Sequence, residues 1–129
     1  MKRSCAGRLF RKARPTQDLF IRLFRAAGGI VAAGTDASNQ MLIPGYSLHE
    51  ELGLLVHAGL TTNAAILAAT RDAARLIGAD SLGSISAGRT ADLVILTADP
   101  LADIANTRAI DRVMIRGNLM KADSIRHSW

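Results

Sequence analysis

The segment GGIVAAGTDASN, residues 28–39, decides the fold prediction for this chain. Its glycine pair is typical of the end of a helix. The apolar run IVAAG at residues 30–34 then predicts a short strand that is buried on both faces. A hydroxyl and a carboxylate, Thr35 and Asp36, follow directly. Taken alone, Asp36 fits two interpretations: a turn or capping residue, or a functional group at the carboxyl end of a buried strand.

Helices on both sides of this segment are indicated by apolar residues at helical spacing, within residues 18–28, 47–59 and 60–78. In the second helix, Ser47 is the expected N-cap and Glu50 has the spacing of a capping box. In the third helix, Thr61 is the expected N-cap and Gly78 the expected end. The third helix is rich in alanine, so we expect it to pack closely against a neighbour.

A small β part is predicted after residue 80. The run ADLVIL at residues 91–96 indicates a strand by its β-branched content. The run RVMIRGNLMK at residues 112–121 predicts a hairpin with Gly117-Asn118 as its two-residue turn. The stretch between them is expected to be a loop or a short helical turn. The fold class is therefore α/β, with about three strands whose apolar face needs a cover.

Length and composition limit the possible functions. The chain has 129 residues, which is enough for one domain with a core but too few for a complete (β/α)₈ barrel of roughly 250 residues. No apolar run is long enough for a transmembrane helix or a signal-peptide core, so we expect a cytoplasmic protein without a membrane partner. The single cysteine, Cys5, excludes an internal disulfide bond.

The net charge of +5 is concentrated at the N-terminus. The first 14 residues contain no acidic side chain and six basic ones: Lys2, Arg3, Arg8, Arg11, Lys12 and Arg14. A basic tail can bind phosphate backbones without specificity. Because no aromatic residues are interleaved and no zinc or helix-turn-helix pattern is present, we expect no specific nucleic-acid partner.

Several motifs occur in a fixed order: GTDA, HEELGLLVHAGLT, AATRDAARLIG, GSISAGRTADLVIL and IDRVMIRGNLM. This order resembles the C-terminal portion of the amidohydrolase superfamily, in the branch of imidazolonepropionases and metal-dependent Xaa-Pro dipeptidases. The resemblance implies a partial (β/α)₈ TIM barrel, with its last strand and flanking helices in residues 17–79. It implies the C-terminal strands of a small composite β-sandwich in residues 80–122. Residues 1–16 and 123–129 are then unmatched tails.

The resemblance also implies a chemistry. In such hydrolases, the aspartate after the last barrel strand binds a metal ion and takes a proton from the attacking water. Here that residue is Asp36. The implied reaction is hydrolysis of a carbon–nitrogen bond in a cyclic amide or peptide-like small molecule, with a divalent metal, zinc, as the cofactor. Gly34 is expected to let the backbone turn tightly before Asp36.

Two further residues are candidates for substrate binding: Tyr46, in the loop that follows Asp36, and His49, at the start of a helix. For both, the alternative is ordinary packing or a local hydrogen bond. The sequence HEELG lacks the second histidine of an HExxH zinc motif. The other polar candidates are interpreted as structural: His57 and His127 as non-ligands, Asp92 as a strand-start residue, and Glu51 and Asp72 as solvated helix charges or cap partners.

The chain departs from the family's metal site in its ligand set. It has no HxH pair, and none of its lysines, Lys2, Lys12 and Lys121, lies on a predicted barrel strand. A catalytic zinc usually needs three protein ligands, so Asp36 is insufficient. We therefore expect this chain alone to hydrolyse little, and the pattern is typical of truncation or a frameshift. The alternative function is an inactive remnant or an interaction module that self-associates through exposed sheet edges.

Overall fold

The computed structural model describes residues 5–37 and 42–121, with side chains described from residue 12 onward. The expectations for residues 1–4, for the segment 38–41 and for the C-terminal tail with His127 lie outside the described residues. The helices are α1 (Cys5–Ala26), α2 (Tyr46–His57), α3 (Thr62–Ala69) and α4 (Arg71–Leu76). The strands are β1 (Leu93–Leu96), β2 (Ile110–Ile115) and β3 (Asn118–Lys121), and a 3-10 helix spans Ile104–Arg108.

Helix α1 is longer than predicted. It begins at Cys5, so residues 5–16 of the predicted tail are helical, and it continues through Pro15. An ion pair across this proline, from Arg14 Nε to Asp18 Oδ1 at 2.9 Å, spans one helical turn and supports the helix there. The helix ends as predicted at the glycine pair, where Gly28 has a φ of 85° and the Gly29 N–H donates to Phe24 O.

The predicted strand at residues 30–34 is not formed. A strand is defined by backbone pairing with a neighbouring strand, and the described residues supply none beside this segment. The segment bonds to a helix instead, because the Ala33 N–H donates to Ala68 O at 2.9 Å. Val31 and Ala33 pack against the core formed by α2 and α3. Within the described part of the chain, the segment is therefore half-buried and bonded to the helices, and Gly34 at its end is exposed.

The core is small and lies between α2 and α3. Its buried cluster consists of Leu52, Leu55, Leu60, Ala65 and Ala68. The two alanines are 0% and 1% exposed, which agrees with the expectation that the alanine-rich helix packs closely. Alanine adds little buried surface, so the hydrophobic stabilisation per residue of α3 is modest.

The start of α2 differs from the prediction. The helix begins at Tyr46 and its N-cap is Gly45, which has a φ of 80° and no side-chain cap. Ser47 is therefore already inside the helix, and its side chain is buried. The predicted capping box of Ser47 and Glu50 is wrong, because the N-cap is Gly45, two residues before Ser47.

The predicted third helix is divided at Thr70. This residue has φ −123° and ψ −94°, and its hydroxyl donates to Ile66 O at 2.8 Å, which competes with the helical pattern. The predicted N-cap is confirmed, because Thr61 Oγ1 accepts from the Ala64 N–H at 3.1 Å. Asp72, expected to be solvated, is 5% exposed and bonds to Arg71 Nε at 2.9 Å, because α4 turns it inward after the break.

The three strands form an antiparallel sheet in the order β1-β2-β3. The hairpin turn lies at Arg116-Gly117, one residue before the predicted position, and both residues have positive φ, as a type I′ turn requires. The Arg116 N–H donates to Asp92 Oδ1 at 2.7 Å, which confirms a structural role for this aspartate. The sheet leaves apolar side chains exposed: Val94, Ile95, Ile115 and Leu119.

None of the helices in the described part of the chain is long and apolar enough to cross a membrane.

The cap of α3 provides a test of the helical core. Thr61→Ala leaves the Ala64 N–H without its acceptor, so we expect the free energy of unfolding to fall by about 1 kcal/mol. Thr61→Ser keeps the hydroxyl and should leave it nearly unchanged. Urea denaturation followed by circular dichroism measures both variants. Equal stabilities of the alanine and serine variants would contradict the assigned cap.

Candidate active site

Asp36 lies at the end of the segment that runs between α1 and α2. It is exposed and has a φ of 51°, a left-handed conformation that aspartate tolerates better than most residues. Gly34, at which the sequence predicts the tight turn, does not have a positive φ. The positive φ belongs to Asp36 itself, so the backbone conformation fixes the direction of its Cα–Cβ bond.

Helix α2 holds the residues just before Asp36. The Gly34 N–H donates to Glu51 Oε1 at 2.8 Å, and Ser47 Oγ donates to Thr35 Oγ1 at 3.3 Å. The other carboxylate oxygen, Glu51 Oε2, is buried and has no hydrogen-bond partner in the described part of the chain. The interpretation of Glu51 as a solvated helix charge or cap partner is wrong, because the side chain turns toward the segment 17 residues away in sequence.

An open cleft of about 750 Å³ lies between α1, α2 and the segment before Asp36. Gly34 and Thr35 line it, and its walls are mainly apolar, including Phe20, Ile21, Leu42, Leu54 and Leu55. Both Glu50 and Glu51 reach it from α2. Asp36 is not one of its lining residues, although Gly34 and Thr35 directly before it are.

An ion pair, Arg14 with Asp18, lines the cleft on the side of α1. Asp18 accepts from Arg14 Nε at 2.9 Å and lies 3.4 Å from His57 Nδ1. The hydrogen bond from Arg14 holds the pKa of Asp18 below its usual value. His57, at the end of α2, thus contacts an aspartate of α1.

Tyr46 and His49 both face the 3-10 helix Ile104–Arg108. The Arg108 guanidinium lies 4.9 Å from the centre of the Tyr46 ring. His49 Nδ1 lies 3.0 Å from Thr107 Oγ1, whose hydroxyl donates to Ile104 O. When the hydroxyl hydrogen is used there, His49 donates from Nδ1, and Nε2 is then left as an acceptor. No hydrogen bond within the described ranges joins Asp36 to either residue.

The described residues do not fit a metal ion by themselves. No group of three or more His, Cys, Asp or Glu side chains converges anywhere in residues 12–37 and 42–121. Asp36 offers one carboxylate donor, and Glu51 uses one oxygen on the Gly34 amide. Since a catalytic zinc site usually takes three protein ligands, the donor set here is incomplete.

Glu51 and its bond to Gly34 are the part of the site that sequence reasoning missed. A signal for it exists in the helical spacing. Ser47, Glu51 and Leu55 are four residues apart, so they share one face of α2, and Leu55 is a core residue. A carboxylate in an apolar stripe has to find a donor, because burial of an unpaired charge is costly.

The histidine on α2 provides a pH-dependent test. Burial, together with the charge of Arg108, lowers the pKa of His49 below its usual 6.5. The unfolded chain then binds this proton more tightly, so the contribution of His49 to stability is present above pH 6.5 and is lost as the pH falls. Between about pH 7.5 and about pH 5.5, we expect the urea midpoint to fall less in His49→Gln than in the natural chain. Parallel curves would exclude this contribution.

The comparisons with known proteins agree with the motifs. The amidohydrolase family profile matches residues 11–120, and it begins inside the segment 1–16 that the motifs leave unmatched. A search of curated proteins returned no significant match. The similar solved structures include the following three. A Xaa-Pro dipeptidase with bound methionine in its active site is 31% identical with a TM-score of 0.73, covering 84% of this chain and 26% of its own.

The second structure, molinate hydrolase, is 29% identical with a TM-score of 0.69, covering 78% of this chain and 25% of its own. The third, phenylurea hydrolase B, is 32% identical with a TM-score of 0.61, covering 67% of this chain and 19% of its own. This chain therefore spans about a quarter of the length of these structures or less. The structural similarity confirms the predicted fold class, a partial α/β barrel with a small sheet. The chain belongs to the amidohydrolase family.

Proposed function

We propose that this chain is the C-terminal part of a metal-dependent hydrolase that cleaves carbon–nitrogen bonds, with Asp36 as its catalytic carboxylate. The observation that carries the proposal is the place of Asp36: an exposed carboxylate in a left-handed turn, at the end of a segment that helix α2 holds. Active sites of barrel enzymes lie where the strands end, so a fixed carboxylate at this point is suited to catalysis.

The role proposed for Asp36 is that of a general base and one metal ligand. An ionised carboxylate has no proton to donate and acts only as an acceptor. It can therefore take a proton from a water molecule that attacks the substrate. The remaining ligands of a divalent metal, zinc in this proposal, have to come from outside the described residues. The chain by itself should therefore neither bind zinc tightly nor hydrolyse substrate.

The substrate class follows from the similar proteins. The Xaa-Pro dipeptidase and the phenylurea hydrolase are named for substrates whose carbonyl carbon is bonded to nitrogen. An amide or peptide-like small molecule is therefore the proposed substrate. Tyr46 and His49 stay proposed substrate-side residues: Tyr46 is 45% exposed, and His49 has a free lone pair on Nε2 that could accept from a substrate N–H.

A second candidate function is an interaction module without catalysis. It is favoured by the apolar side chains that the fold leaves exposed, on α1 at Leu19, Phe20, Leu23 and Phe24 and on the sheet at Val94 and Ile95. Contiguous exposed apolar surface marks an interaction site or an association risk. Under this alternative the chain binds another copy or another chain through these faces, and Asp36 has no chemical role.

A chimera tests the proposed function. Residues 11–120, the range that the family profile matches, replace the corresponding segment of the similar Xaa-Pro dipeptidase, whose remainder would under this proposal supply the rest of the barrel and the other metal ligands. With zinc, the chimera should hydrolyse a Xaa-Pro dipeptide. Asp36→Asn should lower kcat by about 10²-fold or more, the usual contribution of a general base. Asp111→Asn, a matched change at an exposed aspartate on β2, should leave kcat unchanged.

Two results would contradict the proposal. An active chimera that keeps its kcat after Asp36→Asn removes the catalytic role of that residue. A chimera that folds, as shown by circular dichroism and gel filtration, but does not hydrolyse the dipeptide favours the interaction module.

A further inference from the structure

The bond between Glu51 and Gly34 has an unusual energetic balance. The Gly34 residue is exposed, so water could satisfy its N–H if Glu51 were absent. Glu51, in contrast, keeps one buried oxygen without a partner in the described part of the chain. A buried acceptor that lacks its hydrogen bond destabilises the folded state. Overall stability is therefore a poor explanation for a glutamate at this position.

The same bond has a clear geometric effect. Glu51 fixes the peptide N–H of Gly34, and Ser47, one helical turn earlier on α2, fixes the hydroxyl of Thr35. The next residue along the chain is Asp36, which adopts its left-handed conformation at a φ of 51°. Two successive residues are thus bound to one rigid face of α2 immediately before the residue whose direction matters.

The neighbouring glutamate provides a contrast. Glu50 is exposed and reaches the same cleft, and its side chain makes no hydrogen bond or ion pair to any other described residue. The two glutamates are adjacent in sequence and carry the same charge, but of the two only Glu51, four residues after Ser47, bonds to the segment. The position on α2, and not the charge near the cleft, determines which one contacts the segment.

We propose that Glu51 is a positioning residue: its hydrogen bond to the Gly34 N–H, with that of Ser47 to Thr35, sets the direction of the Asp36 carboxylate. The proposal rests on the proposed function only in calling that carboxylate catalytic. The geometric part concerns this chain alone and can be measured without hydrolysis.

Nuclear magnetic resonance on the isotope-labelled chain of 129 residues tests the geometric part. Glu51→Met keeps the length of the side chain but removes its acceptor. We expect the Gly34 amide to exchange with solvent about tenfold faster or more. We expect the strong intraresidue Hα–HN nuclear Overhauser effect of Asp36, the signature of positive φ, to weaken. The urea midpoint should not fall, because the variant also removes the unpartnered oxygen.

Matched variants separate positioning from a general loss of structure. Glu51→Gln keeps an acceptor oxygen and should restore both signals, and Glu50→Met should change neither. If Glu51→Met fails to fold, Glu51→Asp replaces it: the carboxylate is retained but is one methylene too short, so the same two signals should change. Unaltered signals in the variant that folds overturn the proposal. So does a fall in the urea midpoint in step with the signals, because Glu51 would then be a structural residue.

The chimera separates this proposal from the proposed function. If positioning holds, Glu51→Met in an active chimera should lower kcat by about tenfold or more with KM unchanged, and Glu51→Gln should recover most of the loss. An active chimera whose kcat ignores Glu51→Met overturns the positioning role. An inactive chimera overturns the proposed function, and the resonance signals of the isolated chain then decide whether Glu51 sets the direction of Asp36.

Discussion

This structure depends on one constraint: residues 30–34 have the sequence of a strand, but no strand lies beside them in the described part of the chain. Residues 30–34 have the apolar content of a buried strand, in which the backbone groups would have partners on a neighbouring strand. Helices supply them here: Ala33 donates to the carbonyl of Ala68 on α3, and Gly34 donates to the side chain of Glu51 on α2. At Gly34, two residues before Asp36, the acceptor is therefore a side chain and not the backbone of a neighbouring strand.

The rest of the fold follows from the way the helices meet this segment. Alanines on α3 let it approach closely, and Val31 and Ala33 pack against the core of α2 and α3. The opposite requirement, covering the outer faces, is not met. Phe20 and Phe24 of α1 stack on each other with ring centres 5.8 Å apart while both remain exposed. The chain spans about a quarter of the length of the similar structures.

Local features can be predicted from the sequence because their causes are local. Helical spacing locates the helices. Thr61 is identifiable as an N-cap because it directly precedes the helical pattern, and the hairpin turn is predicted within one residue. The errors come from contacts between distant residues. The strand at 30–34 needs a neighbour, Ser47 is buried against Thr35, and Glu51 bonds to a residue 17 positions earlier. No short-range pattern states which partner a buried carboxylate will find.

The candidate site shows the same division. Asp36 is identifiable from its place after an apolar run and from motif order, and the structure adds its conformation and the way α2 holds it. Tyr46 and His49 are candidates by residue type, and the structure instead turns both toward the 3-10 helix. We therefore propose Asp36 as one member of a ligand set whose other members lie outside the described residues.

The DNA immediately upstream of the Met1 codon, read in all three frames, provides the sharpest test of this ligand set. We expect an HxH pair after a strand-like run, followed by further histidine codons, because those residues would complete the donor set around Asp36. A promoter with no such codons in any frame would contradict the proposal. Asp36 would then be a residue of family ancestry only, and the exposed apolar faces would be the part of this chain that functions.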